Sequence, residues 1–334
     1  MPRSLPTFRR RAIAASAAAA AFAVLALQPA AFAQGDAYPS KPITIVVGSV
    51  AGGSNDVFAR AIGKRLSDSL GQPVVIDNKP AGGGVIANAM VARAPADGYT
   101  LVVLSSTFTT GAAIRTNLNY DAVKDFRPVA MLAKGPLLVT VNKDSPYKTI
   151  QELVAGAQAH PGKLNYGTSG AGSINHFATE LFAGAAGIKM THVPYKGMGP
   201  ATTDLLGGQI DVLVASAPSI LAQVRGGRAR ALAVTTATRS PVAPELASLE
   251  ESGYKGSALD LWWGVLAPAG TPQPVVDKLN AEINKHIQSS EMKAFFIKEG
   301  AEPAPMKPDE FARFISAEIE RWKGVAKAAD IRPE

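Results

Sequence analysis

One pattern recurs along this chain and restricts its fold more than any other. A short β-branched or apolar run is followed by a loop of Gly, Ser and Thr, and then by apolar residues at helical spacing. Residues 43–47 lead into Gly48-Ser49-Val50-Ala51-Gly52-Gly53-Ser54-Asn55-Asp56, after which Val57, Ala61, Ile62 and Leu66 share a helical face. Residues 73–76 lead through Gly82-Gly83-Gly84 to a helix ending near Val91, and residues 101–104 end in Ser105-Ser106-Thr107. Continuous apolar strands alternating with helices specify a mostly parallel sheet covered by helices on both faces.

The pattern resumes after Pro136. A helix near 149–158 precedes a strand at 164–166, and Gly167-Thr168-Ser169-Gly170-Ala171-Gly172-Ser173-Ile174-Asn175-His176 opens another helix. Strands at 190–193, 210–214 and 231–235 and a helix at 200–206 complete a second α/β unit. Then comes the apolar run 258–267, which contains Trp262-Trp263. Two amphipathic helices follow, one carrying Val276, Leu279, Ile283 and Ile287, the other Phe311, Phe314, Ile315, Ile319 and Trp322. Their expected target is the first unit, which makes that unit discontinuous in sequence. About 300 residues exceed what one core usually serves, so two lobes are expected: 35–138 with 256–334, and 139–255. Flexible crossings are expected near 133–141 and 254–261, where Gly and Pro punctuate the chain.

The N-terminus bears on where such a chain works. Arg3 and Arg9-Arg10-Arg11 precede an uncharged, Ala-rich run, and Ala31-Phe32-Ala33 has the small-x-small form of a cleavage site. The run is shorter than the roughly 20 residues a bilayer crossing requires, so residues 1–33 read as a cleaved export signal. Removing its four arginines from 34 basic residues leaves 30 against 27 acidic, and most of the formal charge of +7 belongs to the leader. No Lys/Arg run with interleaved aromatics remains to suggest nucleic acid. The absence of cysteine excludes disulfides, thiolate metal sites, a catalytic thiol and a lipid-bearing N-terminal Cys. The expected location is the periplasm.

The small-residue loops carry the chemistry. A helix start leaves backbone N–H groups unpaired and holds positive partial charge, so a Gly/Ser/Thr loop there gives an anion close access to donors. One helix end contributes about 0.3–1 kcal/mol, less than the several kcal/mol needed to desolvate a carboxylate. Several loops acting together are required, and this chain offers three, at 48–56, 105–110 and 167–176. Two rival readings rest on the same residues. Gly82-Gly83-Gly84-Val85-Ile86-Ala87 matches a dinucleotide-binding G-x-G-x-x-A, but it does not follow the first strand and no acid ends the next one. Ser173 and His176 form the pair for an exported hydrolase acting on a small carboxylate ester, without Gly-x-Ser-x-Gly or an identifiable orienting third residue. No His or carboxylate cluster has metal-ligand spacing, and no cofactor is implied.

Tyr38-Pro39-Ser40-Lys41-Pro42-Ile43, Gly52-Gly53-Ser54-Asn55-Asp56, Gly71-Gln72-Pro73-Val74-Val75, Pro95-Ala96-Asp97-Gly98-Tyr99-Thr100-Leu101 and Asp125-Phe126-Arg127-Pro128-Val129 form a collinear series. It continues with Pro161-Gly162-Lys163-Leu164-Asn165-Tyr166, His192-Val193-Pro194-Tyr195-Lys196-Gly197, Asp204-Leu205-Leu206-Gly207-Gly208-Gln209-Ile210-Asp211, Arg230-Ala231-Leu232-Ala233-Val234-Thr235 and Leu266-Ala267-Pro268-Ala269-Gly270-Thr271-Pro272. The series resembles the receptors of tripartite tricarboxylate transporters, also called Bug-type solute receptors. The resemblance implies a two-lobed periplasmic binding fold of type II, closing as a monomer on a small organic acid for integral membrane transporter subunits. The acid class stays open among di- or tricarboxylate, amino acid and aromatic acid.

Carried over by position, the resemblance places contacts at Ser49, Gly52, Gly53, Ser54, Ser106 and Thr107 in the first lobe, and at Thr168, Ser169, Gly172, Ser173 and His176 in the second. Tyr195, Ala215 and Ser216 are expected to line the remaining wall. The family often has Phe-Pro-Pro-Gly-Gly in the first loop, and many members have Asp where Ala215 stands, which points to a ligand without an amino group at that end. His176 reads equally as a ligand contact and as a structural cap. Trp262 and Trp263 read as a core pair, Lys196 as solvated, and Asp56 as a cap or first-turn acid, because it would repel an anion.

Overall fold

The computed structural model describes residues 38–80 and 84–332. The expected leader at 1–33 and the Gly82-Gly83 part of the dinucleotide-like motif lie outside the described residues. Both of the sheets that follow belong to one unit, Lys41–Glu334.

β1 (Ile43–Val47) is the buried centre of the first half, since four of its five side chains are shielded on both sides. It pairs in parallel with β2 (Val74–Asn78) and with β3 (Thr100–Ser105), in the registers Ile45↔Ile76 and Ile45↔Leu101. α1 (Ser54–Leu70) connects the first two strands and buries Phe58, Ile62 and Leu66, a spacing of four that makes one helical stripe. α2 (Val85–Ala92) precedes β3, and α3 (Thr107–Ile114) follows it. β4 (Phe126–Gly135) then runs directly into β5 (Leu137–Asn142), with Pro136 alone between them.

The crossing expected at 133–141 falls between these two strands. Both are almost wholly buried and hydrogen-bonded, and they lie in different sheets, so the chain crosses at a single proline. The alternation around Pro136 was hidden because both faces are covered, which leaves an apolar run without a readable period.

The second half comprises α4 (Ile150–Ala159), β6 (Asn165–Thr168), α5 (Ile174–Ala186), β7 (Thr191–Pro194), α6 (Met198–Leu206), β8 (Val212–Ser216), α7 (Ala217–Arg225) and β9 (Ala229–Val234). The chain then returns through residues 235–260 to β10 (Leu261–Pro268), which inserts antiparallel between β3 and β4. α8 (Gln273–Ile287), α9 (Ser290–Lys298), the two-residue β11 (Glu302–Pro303) and α10 (Pro308–Ala328) complete the described fold.

The sheets have orders β11-β4-β10-β3-β1-β2 and β7-β6-β8-β5-β9. Leaving β11 aside, they follow one plan. The first strand is flanked by the second and third, and beside the third lies an antiparallel strand that separates it from the fourth. In each sheet that antiparallel strand, β5 or β10, is the one the chain enters on arriving from the other sheet. Each sheet is thus mostly parallel in strand direction, and the first is discontinuous in sequence.

Thr235 joins the two passages. Its hydroxyl accepts from the Leu137 amide at 3.0 Å and donates to the Leu259 carbonyl at 2.8 Å, while its own backbone bonds both residues. The C-terminal helices pack as their stripes require. Val276, Leu279, Ile283 and Ile287 of α8 face β4 and α1, and Phe311, Ile315, Ile319 and Trp322 of α10 face α3 and β4. Trp322 also reaches α5, meeting Phe177 edge-on with ring centroids 5.5 Å apart. Trp262 packs edge-on against Phe311, and Trp263 against Phe58, both inside the first sheet's core.

Candidate functional site

Parallel strands place their following loops on one edge. The loops after β1 and β3 therefore share the carboxyl edge of the first sheet, and those after β6 and β8 share that of the second. Open α/β sheets take ligands at such edges. The two halves touch at Gly172, in the loop after β6, where a Cβ would stand 2.4 Å from Cδ1 of Ile114, the last residue of α3.

The first loop is shaped by Asp56. Its carboxylate accepts from the Gly52 amide at 2.8 Å, from Asn78 Nδ2 at 2.9 Å and from Arg60 Nε at 3.0 Å. Burial alone would raise its pKa, but the bonds from Arg60, Gly52 and Asn78 outweigh burial, and the net direction is down. Asp56 organises the loop as an anion. Gly53 begins α1 with no side chain to cap it, so the first-turn amides have no partner of that kind. Ser49, Gly52, Gly53 and Ser54 are at least partly exposed here. Ser49 Oγ has no hydrogen-bond partner among the described residues, and Ser54 Oγ accepts from Trp263 Nε1 at 3.1 Å.

Ser106 is fully buried. Its amide donates to the Trp262 carbonyl at 3.1 Å and its Oγ accepts from the Trp262 amide at 2.9 Å, extending the β3–β10 ladder by one step. Its neighbour Thr107 is part-exposed at the start of α3, which also lacks a side-chain cap. The third loop bonds within itself. Ser173 Oγ caps α5 by accepting from the His176 amide and donates to the Gly170 carbonyl at 2.7 Å. Ser169 Oγ donates to Asn175 Oδ1 at 3.1 Å, and Asn175 Nδ2 holds the Val214 carbonyl at 2.8 Å. Gly172 donates its amide to His176 Nδ1 at 3.3 Å.

His176 is buried, and by accepting the Gly172 amide it fits the structural-cap reading. It packs under the loop and stacks on His192 with ring centroids 4.0 Å apart. Burial, with the nearby His192, pushes its pKa down to about 4, so the ring is neutral at pH 7. Ser173 meets the His176 backbone rather than its ring, which removes the nucleophile–base geometry of the hydrolase reading. Thr168 is fully buried, with Oγ1 2.7 Å from His192 Nε2. Tyr195 is turned toward α6: its hydroxyl donates to Asp204 Oδ2 at 2.7 Å, and burial together with Asp204 pushes its pKa up to about 12. Ala215 is buried in the second sheet's core, and Ser216 Oγ lies 2.7 Å from Ser219 Oγ at the start of α7.

The candidate residues thus divide. Ser49, Gly52, Gly53, Ser54, Thr107, Ser169 and Tyr195 keep an accessible surface at the strand ends. Ser106, Thr168, Gly172, Ser173, His176, Ala215 and Ser216 are buried, many with partners in the protein. Two residues that sequence reasoning did not single out, Ile114 and His192, take part in shaping the loops. The apolar end of α3 and the two-residue alternation of β7 were the available signals. Among the described residues no three or more His, Cys, Asp or Glu are grouped to hold a metal, and no helix is long and apolar enough to cross a membrane.

Two mostly parallel α/β sheets joined by exchanged antiparallel strands, each with small-residue loops along its carboxyl edge, define a periplasmic binding protein. The chain belongs to the tripartite tricarboxylate transporter receptor family, whose model, described as "Tripartite tricarboxylate transporter family receptor", matches residues 58–331. It is 37% identical over 294 residues to Protein BugT of Bordetella pertussis, covering 87% of this chain and 90% of that one. An R. palustris protein solved with adipate superposes with a TM-score of 0.85 at 37% identity, covering 89% of this chain and 100% of that one. MatC from Rhodopseudomonas palustris, solved with bound malate, gives 0.79 at 33% identity, covering 86% and 99%. The family and these neighbours are solute-binding receptors, so this chain is a receptor and not an enzyme.

Proposed function

We propose that this receptor captures a small organic carboxylate between two lobes, 35–138 with 256–334 and 139–255, and delivers it to a tripartite tricarboxylate-type membrane transporter. The observation that carries this reading is the contact between the two halves at Ile114, which ends α3, and Gly172, in the small-residue loop after β6. An acid bound between strand-end loops of both sheets favours the closed state by its differential affinity for it, giving membrane subunits a liganded face to recognise. The likeness to proteins solved with adipate and malate supports a carboxylate.

Recognition rests on amides and hydroxyls. None of the candidate residues carries a formal charge at pH 7, since His176 is neutral, while α1, α3 and α7 begin without a side-chain cap. Three such ends acting together on one anion supply what a single end cannot. The protein acts as a periplasmic monomer after removal of its leader. Titration calorimetry with mono-, di- and tricarboxylates tests the proposal: saturable binding of an acid recovered unchanged is expected, and heat from none of them contradicts it.

A further inference from the structure

The segment from Gly170 to Gly172 is held from beneath by two imidazoles. Gly170 and Gly172 have φ of +125° and +72°, so this stretch needs fastening at both ends. At the far end, His176 Nδ1 accepts the Gly172 amide, which puts the proton of the neutral ring on Nε2. At the near end, Thr168 Oγ1 lies 2.7 Å from His192 Nε2 and 3.2 Å from both the amide and the carbonyl of Gly170.

A hydroxyl has one hydrogen to give. With His192 Nε2 as acceptor, Thr168 donates to it and its oxygen takes the Gly170 amide. With Nε2 protonated, Oγ1 accepts from it and from the Gly170 amide and turns its own hydrogen to the Gly170 carbonyl. In either tautomer His192 Nε2 fixes Thr168 Oγ1 as the acceptor of the Gly170 amide. The same ring lies between two others: it stacks on His176 at 4.0 Å and 19°, and on Tyr166 at 5.1 Å and 22°. Tyr166 in turn donates its hydroxyl to Glu180.

We infer that His192 is a positioning residue for the 168–173 loop, fixing the Thr168 hydroxyl through Nε2 and backing the imidazole that holds the Gly172 amide. It acts on ligand only through the loop, and in that respect the inference rests on the receptor reading above. Two substitutions separate its roles. His192→Phe keeps a ring in the stack and removes the hydrogen bond; His192→Gln keeps a polar group near the Nε2 position and removes the ring.

The test is hydrogen exchange at the Gly170 and Gly172 amides of the unliganded protein, with thermal unfolding and calorimetry against adipate, malate, succinate and citrate. Losing one hydrogen bond is worth about tenfold, so exchange in His192→Phe is expected to be about tenfold faster at Gly170, with any acid bound by the wild type held about tenfold more weakly. His192→Gln is expected to restore protection at Gly170 but, without the ring that backs His176, to leave Gly172 exchanging faster than in the wild type. Wild-type protection at Gly170 in His192→Phe overturns the inference, as does a His192→Gln as exposed there as His192→Phe. If the exchange pattern appears while the wild type binds no acid, the receptor reading fails and the positioning role stands.

Discussion

Ile114 lies over Gly172, with its Cδ1 methyl 2.4 Å from where a Cβ on Gly172 would be. Gly172 also holds φ at +72°. Two independent constraints, one steric and one conformational, therefore exclude a side chain where α3 of the first sheet meets the loop of the second.

Gly172→Ala is expected to cost about 1–2 kcal/mol from the left-handed backbone and to weaken acid binding further by displacing Ile114. Ile114→Ala in the same chain makes room for the methyl but leaves the backbone strain. A double-mutant cycle by calorimetry should show partial recovery of affinity. Strict additivity of the two substitutions would mean that the steric contact plays no part.

Ser106→Ala leaves the buried Trp262 amide without its acceptor, an expected loss of about 1–3 kcal/mol of stability. Because that hydroxyl extends a strand ladder, urea unfolding should register the change more strongly than ligand affinity. A variant with unchanged stability and abolished binding would restore Ser106 as a direct contact.

Thr235→Val removes the hydroxyl between Leu137 and Leu259, both at passages between the sheets. The expected cost is again about 1–3 kcal/mol, read as a lower urea midpoint at constant slope. Thr235→Ser, which keeps the hydroxyl, should recover most of it. Equal midpoints for Val and Ser would show that the hydroxyl contributes nothing.

Acid stability follows from His176. Burial lowers its pKa from the ordinary histidine value of 6.5 to about 4 in the fold, so between those values the unfolded chain binds the extra proton. Stability is then fully present above about pH 6.5 and is lost as pH falls toward 4, by up to about 3 kcal/mol from this group. His176→Asn keeps an acceptor for Gly172 but does not titrate. Its stability should decline less than that of the wild type over this window, as followed by denaturant melts at several pH values. Parallel declines would place the titration elsewhere.

The strand–loop–helix alternation showed both α/β units in the sequence because each β-branched run is bounded by its own Gly/Ser loop. The amphipathic stripes of α8 and α10 were equally plain, since surface helices keep a polar face. β4 and β5 were not, because burial on both faces erases the two-residue period that marks a strand. At the site, Asp56 was legible as a local organiser. Ser106 was not: its partner, Trp262, is 156 positions away, and only sheet pairing brings the two together. His192 was hidden for the same reason, since its place opposite Tyr166 is a matter of register between β6 and β7.

Loop amides and hydroxyls, rather than an ion pair, are proposed to hold the small carboxylate. Native mass spectrometry of the exported protein should reveal a co-purified acid of intact mass, and titration of that acid into variants decides how it is held. Gly172→Val is expected to abolish binding, while Lys196→Ala, which truncates an exposed side chain, is expected to bind nearly as the wild type does. Loss of binding in Lys196→Ala with normal binding in Gly172→Val would show instead that a charged side chain carries recognition.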